Sequence, residues 1–390
     1  MNRTAGTIGV TRRAAALGIA AMLAGCAVVP KTTAPLPRAD RPPAPLPGET
    51  VLPPSGETRH RVALLVPLSG ENQAVGQSLA NATAMALLDT DADNLRITTY
   101  DTAGNGGPAA AAERAVRDGN ALILGPLLRE HVGPVVEAAR SRNVPVVSFS
   151  NDTGVAGSGA FIMGISPEQS VARSIRFARA QGAQTFAALI PEGDYGARAE
   201  AAFRQSVAAA GGRVAAVETF ARQNTSIVSA ARRVRAAGAV DAVFIADSAA
   251  LAARAAPELG AGVRIIGNEL WAGDNNLARN SALRNAIFAS VPDNNFARFA
   301  ESYRARFGSA PFRIATLGYD AVLLTLNVAQ DWRVGTPFPV RALVDDGGFL
   351  GLDGPFRFTR QGVGERGMEV RQVRANGVTV LDPTPANFRQ

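Results

Sequence analysis

The chain is poor in the residues on which most enzymes and metal proteins rely. It has one cysteine, two histidines and, among its 40 basic residues, a single lysine, Lys31. One cysteine leaves no internal disulfide and no Cys-based zinc site. With only His60 and His131, a Ser-His-Asp triad or a histidine metal cluster has almost nothing to be built from. His60 stands just ahead of the first expected strand and His131 on an expected helix, so both read as surface or capping residues. The stretch "GNGGPAAA" follows a strand, but it lacks the third glycine of a nucleotide loop and no Walker lysine accompanies it. No catalytic residue, metal or cofactor is expected. Aromatics make up 6% of the chain, and the arginines are scattered, as in "RSIRFARA" and "AARRVRAAG". They form no stripe interleaved with aromatics, so the net charge of +7 reads as solvated helix faces with some attraction to an anionic wall or membrane. Nucleic acid is not an expected partner.

The one cysteine, Cys26, is informative. Arg3, Arg12 and Arg13 precede the short apolar run "AAALGIAAMLAG", about 12 residues where a membrane span needs about 20. A basic start, a short apolar core and small residues at its end describe a secretory signal peptide. It closes on Leu23-Ala24-Gly25-Cys26. This resembles the bacterial lipobox, which implies a palmitate-type acyl anchor on Cys26 and cleavage before it. Ala27 stands where an aspartate retains such proteins in the inner membrane, so the sorting rule implies a periplasm-facing protein on the outer membrane. Proline then recurs every two to four residues in "VVPKTTAPLPRADRPPAPLPGETVLPPSGE". Such a segment is an extended spacer. At ~3.1 Å per residue its 25 to 30 residues reach on the order of 75–90 Å.

From Arg61 the pattern alternates strand and helix. "RVALLVPLSG" is an apolar run of the kind buried in a parallel sheet, and "NQAVGQSLANATAMALLD" has helical periodicity. "LRITTYD", "ALILGP" and "VPVVSFS" continue as strands between helical stretches. The programme repeats about 120 residues later with "TFAALIPEGDYGARAEAAFRQSVAAAGG", "RVAAVETF" and "ARRVRAAGAVDAVFIAD". Two α/β lobes, each a doubly wound parallel sheet, follow from this duplication. Two helices, "DNNFARFAESYRARFG" and "PFRIATLGYDAVLLTLNVAQDW", precede a hairpin-like strand pair in "GPFRFTRQGVGERGMEVRQVRANGVTV".

The ordered set "VALLVPLSG", "ALILGPLLRE", "VPVVSFSND", "EGDYGARA", "AGAVDAVFIAD" and "LGYDAVLLT" resembles the type I periplasmic-binding-protein fold of the branched-chain amino-acid receptors. It spans about residues 60 to 380. The resemblance implies three crossovers joining two lobes in a multi-crossover hinge. The division is then a signal peptide over 1–25 and an anchor with tether over 26–58. Lobe 1 takes 59–166 plus 291–350, and lobe 2 takes 167–290 plus 351–382. "FLGLDGPFRFTRQGVGERGMEVRQVRANG", "IIGNELW" and the lipobox resemble a narrower branch, the lipoprotein activators of penicillin-binding proteins. That branch implies a peptidoglycan synthase as partner.

Carried over by position, the cleft would be lined by Ser69, Ser148, Ser150, Asp152, Tyr195 and Glu269. In the receptors a carboxylate ligand takes hydroxyls and N–H groups, and its ammonium takes an acceptor. The chain departs from this pattern at "GPLLRE", where Leu127 and Leu128 replace an expected serine. Asp152 would also repel a ligand carboxylate unless it is paired. Asp101 and Asp194 read as turn or cap residues. Two roles stay open: activator of a peptidoglycan synthase, or receptor of an ABC importer for amino acids or small peptides. Outer-membrane anchoring favours the first in a Gram-negative cell; in a Gram-positive cell, where receptors are lipid-anchored, the argument reverses. Cys26→Ser is expected to move the protein from the membrane to the soluble fraction. Unchanged membrane association of that variant contradicts the lipobox.

Overall fold

A computed structural model describes residues 58–274, 276–385 and 388, which belong to one compact unit. Cys26, the signal peptide and residues 27–57 of the tether lie outside the described residues. None of the helices among the described residues is long and apolar enough to cross a membrane.

The short apolar runs form strands with both faces covered. β1 (His60–Val66) buries every residue from Val62 to Val66. It is followed by α1 (Gln73–Asp89), β2 (Leu95–Asp101), α2 (Gly107–Arg117), β3 (Leu122–Leu124), α3 (Arg129–Arg140), β4 (Val146–Ser148) and β5 (Ala160–Ile162). These strands make a five-stranded parallel sheet in the order β2-β1-β3-β4-β5.

The second lobe repeats the plan. It contains α4 (Pro167–Ala180), β6 (Thr185–Pro191), α5 (Asp194–Ala209), β7 (Arg213–Phe220), α6 (Ser226–Ala236), β8 (Ala242–Ile245), α7 (Ala249–Ala255), β9 (Arg264–Ile266) and β10 (Ile287–Ser290). Its parallel strands run β7-β6-β8-β9-β10, the same order as in the first sheet. The duplication reaches single atoms. A Cβ on Gly76 would lie 1.8 Å from the Pro67 carbonyl oxygen, and one on Gly196 would lie 1.7 Å from that of Pro191. In both lobes the first helix therefore presses its backbone against the end of the first strand.

The C-terminal part divides differently from the sequence expectation. After α8 (Phe296–Phe307) and α9 (Thr316–Ala329) come β11 (Phe349–Gly351), β12 (Gly354–Phe358) and β13 (Gly364–Arg366). These three form a small antiparallel sheet, and Phe349, Phe356 and Phe358 enter the first lobe's core beside Val62, Leu124 and Phe161. The expected switch to the second lobe at residue 351 is thus corrected: the chain stays with the first core through β13. Only β14 (Glu369–Arg374) and β15 (Gly377–Asp382) return, pairing antiparallel beside β10. The single strand pair read in this stretch is two hairpins, one per lobe, divided at Gly367–Met368.

Two buried arginines hold the crossings together. Arg366 Nε and Nη2 donate to the Met163 carbonyl, in the first crossing, at 3.2 and 3.0 Å. Its Nη1 lies 3.3 Å from Asp320 Oδ2, and both side chains are almost fully buried. Arg371 donates to the Val291 carbonyl, in the second crossing, at 3.0 Å. It also pairs with Glu369 at 2.6 Å and with Asp293. Desolvation offsets much of the attraction in such pairs, and their effect is to fix one arrangement of the chain. His60 differs from its expected place on the surface. It is 4% exposed and its ring stacks on Trp332 at 4.1 Å, so burial holds its pKa below the ordinary value.

Candidate functional site

The expected cleft residues all sit at or just beyond the carboxyl ends of parallel strands, where open α/β sheets place their sites. In the first lobe their polar groups are already bonded within the protein. Ser69 follows β1 and its hydroxyl donates to Asp101 Oδ2 at 2.7 Å. Burial alone would raise the Asp101 pKa, but N–H groups of Leu68 and Ala103 and the Ser69 hydroxyl outweigh it and hold the carboxyl low. Asp101 is thus the turn residue the sequence suggested. Ser148 ends β4 and donates to the Pro126 carbonyl at 2.8 Å, while accepting from the Ser150 N–H at 3.1 Å. Ser150 in turn accepts from the Asp152 N–H at 3.1 Å, and Asp152 accepts from the Gly154 N–H at 2.9 Å. This chain of local bonds builds the "SFSND" loop and points a buried carboxylate, 3% exposed, at the second lobe.

Two arginines meet that carboxylate. Arg129, at the start of α3, places Nε 2.7 Å from Asp152 Oδ2. Its Nη1 reaches across to Asp194 of α5 at 2.8 Å. Arg198, one turn further along α5, reaches back. It donates to the Asn151 carbonyl at 2.8 Å and stands 3.8 Å from Asp152 Oδ1 and 3.6 Å from Glu168. The lobes are therefore joined by two arginines pointing in opposite directions, with Asp152 between them. Asp194 was read as a turn or cap residue; it opens α5 and also takes this cross-lobe pair. Neither arginine was singled out in the sequence. The signal was present in "GPLLRE" and "DYGARA", where an arginine begins the helix after a strand or stands one turn into it.

The second lobe contributes a separate cluster. Tyr195 donates from its hydroxyl to Glu269 Oε1 at 2.8 Å and accepts from Asn268 Nδ2 at 2.8 Å. Burial, reinforced by the Glu269 charge, raises the Tyr195 pKa. Burial also raises Glu269, to about 7, with the Glu168 charge adding to the shift. Glu269 Oε2 is shut from solvent and makes no close hydrogen bond among the described residues, though the nearby Ser170 hydroxyl tempers the rise. Arg222 lies 5.6 Å from the Tyr195 ring centre and is held by Asp247 at 2.6 Å. Tyr195 and Glu269, each expected to line the cleft, are hydrogen-bonded to one another, whereas Ser69 joins Asp101.

A family model described as periplasmic binding protein matches residues 60–378. The chain belongs to the periplasmic binding protein family. Solved structures share the fold. A putative branched-chain amino-acid ABC transporter protein of Rhodospirillum rubrum superposes with TM-score 0.72 at 18% identity, over 83% of this chain and all of that one. A leucine-binding protein of Thermotoga maritima gives 0.62 at 20% identity, over 82% and 97%. Two curated relatives match by sequence. An uncharacterized protein of Rickettsia prowazekii is 26% identical over 148 residues, 38% of this chain and 40% of the relative. The penicillin-binding protein activator LpoA of Photobacterium profundum is 28% identical over 162 residues, 41% of this chain and 26% of that protein. The matched stretches span well under half of either relative.

The raised Glu269 gives this binding protein a pH signature. In the unfolded chain the group loses its proton near its ordinary value of 4.5, but in the fold it keeps it to about 7. The folded state then binds more protons across that window, so stability falls as pH rises through it. Glu269→Gln removes the titration while keeping an acceptor for Tyr195. Its unfolding free energy is expected to change less between pH 5 and 7, by up to ~1.4 kcal/mol per pH unit relative to wild type. Parallel profiles of variant and wild type contradict the assignment.

Proposed function

We propose that the protein is an outer-membrane lipoprotein, anchored through Cys26, that uses its binding-protein fold to contact and activate a peptidoglycan synthase. The observation that carries this reading is the pairing of Asp152 with Arg129 of its own lobe and Arg198 of the facing lobe. A receptor for amino acids needs cations or N–H groups free for the ligand carboxylate. Here Asp152 provides that carboxylate, and the cations near it are engaged with protein partners. The partial likeness to the activator LpoA supports the same role. The proline-rich segment fits it too, since an outer-membrane protein must span the periplasm to reach a synthase in the inner membrane.

One observation favours the second reading, a solute receptor of an ABC importer. Glu269 Oε2 is a buried acceptor that makes no close hydrogen bond among the described residues, beside the Tyr195 hydroxyl, a place for a ligand ammonium. Calorimetric titration with amino acids and small peptides separates the two, because a receptor gives saturable heat and the activator reading predicts none.

The direct test of the activator role is the tether. A flexible Gly/Ser coil of 24 to 32 residues spans only ~30 Å, far less than the extended proline-rich segment. Deleting residues 31–54 is expected to abolish stimulation of cell-wall synthesis in cells, while the thermal melt of residues 59–390 stays as in wild type. Full stimulation by the shortened protein, still anchored in the outer membrane, contradicts the reading.

A further inference from the structure

Among the described residues the two most exposed large apolar side chains are Leu350, 73% exposed, and Leu88, 69% exposed. Single exposed leucines are ordinary on protein surfaces. Leu88 adjoins Asp89, and Leu350 stands two residues from Leu352, both of which line one open groove of about 310 Å³ on the first lobe that shares no residue with the cleft. Its apolar walls include Met85 of α1, Phe299 of α8, Tyr319 of α9 and Leu352. Leu350 lies in β11, two residues before Leu352, which opens the turn into β12. Leu88 is one helical turn from Met85.

The groove is also unbalanced in charge. Its acid, Asp89, is already taken by Arg306 Nη2 at 2.6 Å and by the Tyr319 hydroxyl at 3.3 Å. Its remaining cation, Arg298, is exposed and donates to Asn295 Oδ1 at 2.9 Å. No carboxylate lies within ion-pair distance of it among the described residues. A groove that mixes apolar and polar walls, with an uncompensated guanidinium at its edge, is complementary to an apolar side chain next to an acid, because the planar fork of arginine binds carboxylates in two-pronged fashion.

We infer that this groove is a docking surface for a segment of a partner protein that carries a large apolar side chain beside an Asp or Glu. Leu88, Leu350 and the groove walls enclose the apolar anchor, and Arg298 takes the acid. In the activator reading, on which the partner's identity rests, the segment belongs to the synthase. Docking here requires no movement of the lobes.

The test uses the full lipoprotein in its own cell, with the photoreactive amino acid benzoylphenylalanine placed at Ser302, an exposed position lining the groove. The crosslinked peptide is sequenced. The expected peptide has a large apolar residue next to an Asp or Glu. Crosslinking falls at least tenfold in Arg298→Glu and in the Leu88→Ser, Leu350→Ser double variant, with a smaller fall in the milder Arg298→Gln. Arg254→Glu, on α7 of the other lobe, leaves it unchanged. A crosslinked segment without an acid, a yield indifferent to Arg298, capture of a second copy of this chain, or no protein crosslink overturns the inference. The captured chain also tests the wider reading. A synthase supports both, while another protein presenting the acidic–apolar segment supports the groove and removes the activator role.

Discussion

The carboxylate of Asp152 sets the state of the cleft. A buried charge is tolerated only when it is paired and hydrogen-bonded, because the alternative is the full desolvation penalty. Asp152 is 3% exposed and is reached from its own lobe by Arg129 and from the facing lobe by Arg198. Opening the lobes removes the Arg198 side of this arrangement and the Arg129–Asp194 pair together. The second of these lies in solvent, with Asp194 82% exposed, and is worth ~0–1 kcal/mol on its own. The buried carboxylate is the larger contributor. It makes closure a property of the protein's own residues.

The hinge works in the same sense. Arg366 and Arg371 bond to carbonyls in crossings distant in sequence, so the three linkers are joined to one another and not merely parallel. Asp320 sits on a helix that is otherwise apolar on nearly all sides, and it accepts the Leu352 N–H at 2.6 Å in addition to pairing with Arg366. A Cβ on Gly351 would fall 2.5 Å from that carboxylate, so the loop can pass only as glycine. A fold held closed at the cleft and tied at the hinge presents constant surfaces. That suits a protein proposed to act by touching another protein. Solute capture in this family's fold would instead have to displace Asp152 from its arginines before a ligand carboxylate could enter.

Much of this was legible in the sequence, and the failures have physical causes. Runs such as "VALLV" and "AVFIA" can be buried on both faces only as interior strands, so the two-lobe plan and its duplication followed directly. The positions of Tyr195 and Glu269 just beyond strand ends were also reachable, although no local pattern announced their hydrogen bond to each other across 74 residues. The return point of the chain was not. β12, β13 and β14 are short and mix a few apolar residues with charged ones, a pattern that says nothing about which core a strand joins. Phe356 and Phe358 decide that only through their neighbours. The arginines were missed for a related reason. A chain with 40 basic residues offers many at helix starts, and Arg129 and Arg198 look like the solvated ones. His60 was misplaced because its partner, Trp332, lies some 270 residues away, beyond any local pattern.

The central claim is that the cleft is closed by the protein's own ion pairs and not by a ligand. Single-molecule energy transfer between dyes on the outer helices of the two lobes measures this directly in the ligand-free protein. The account predicts one high-transfer state, unchanged by adding amino acids, which shifts toward an open state in Asp152→Asn and in Arg198→Ala. An open ligand-free state that closes on adding an amino acid contradicts it.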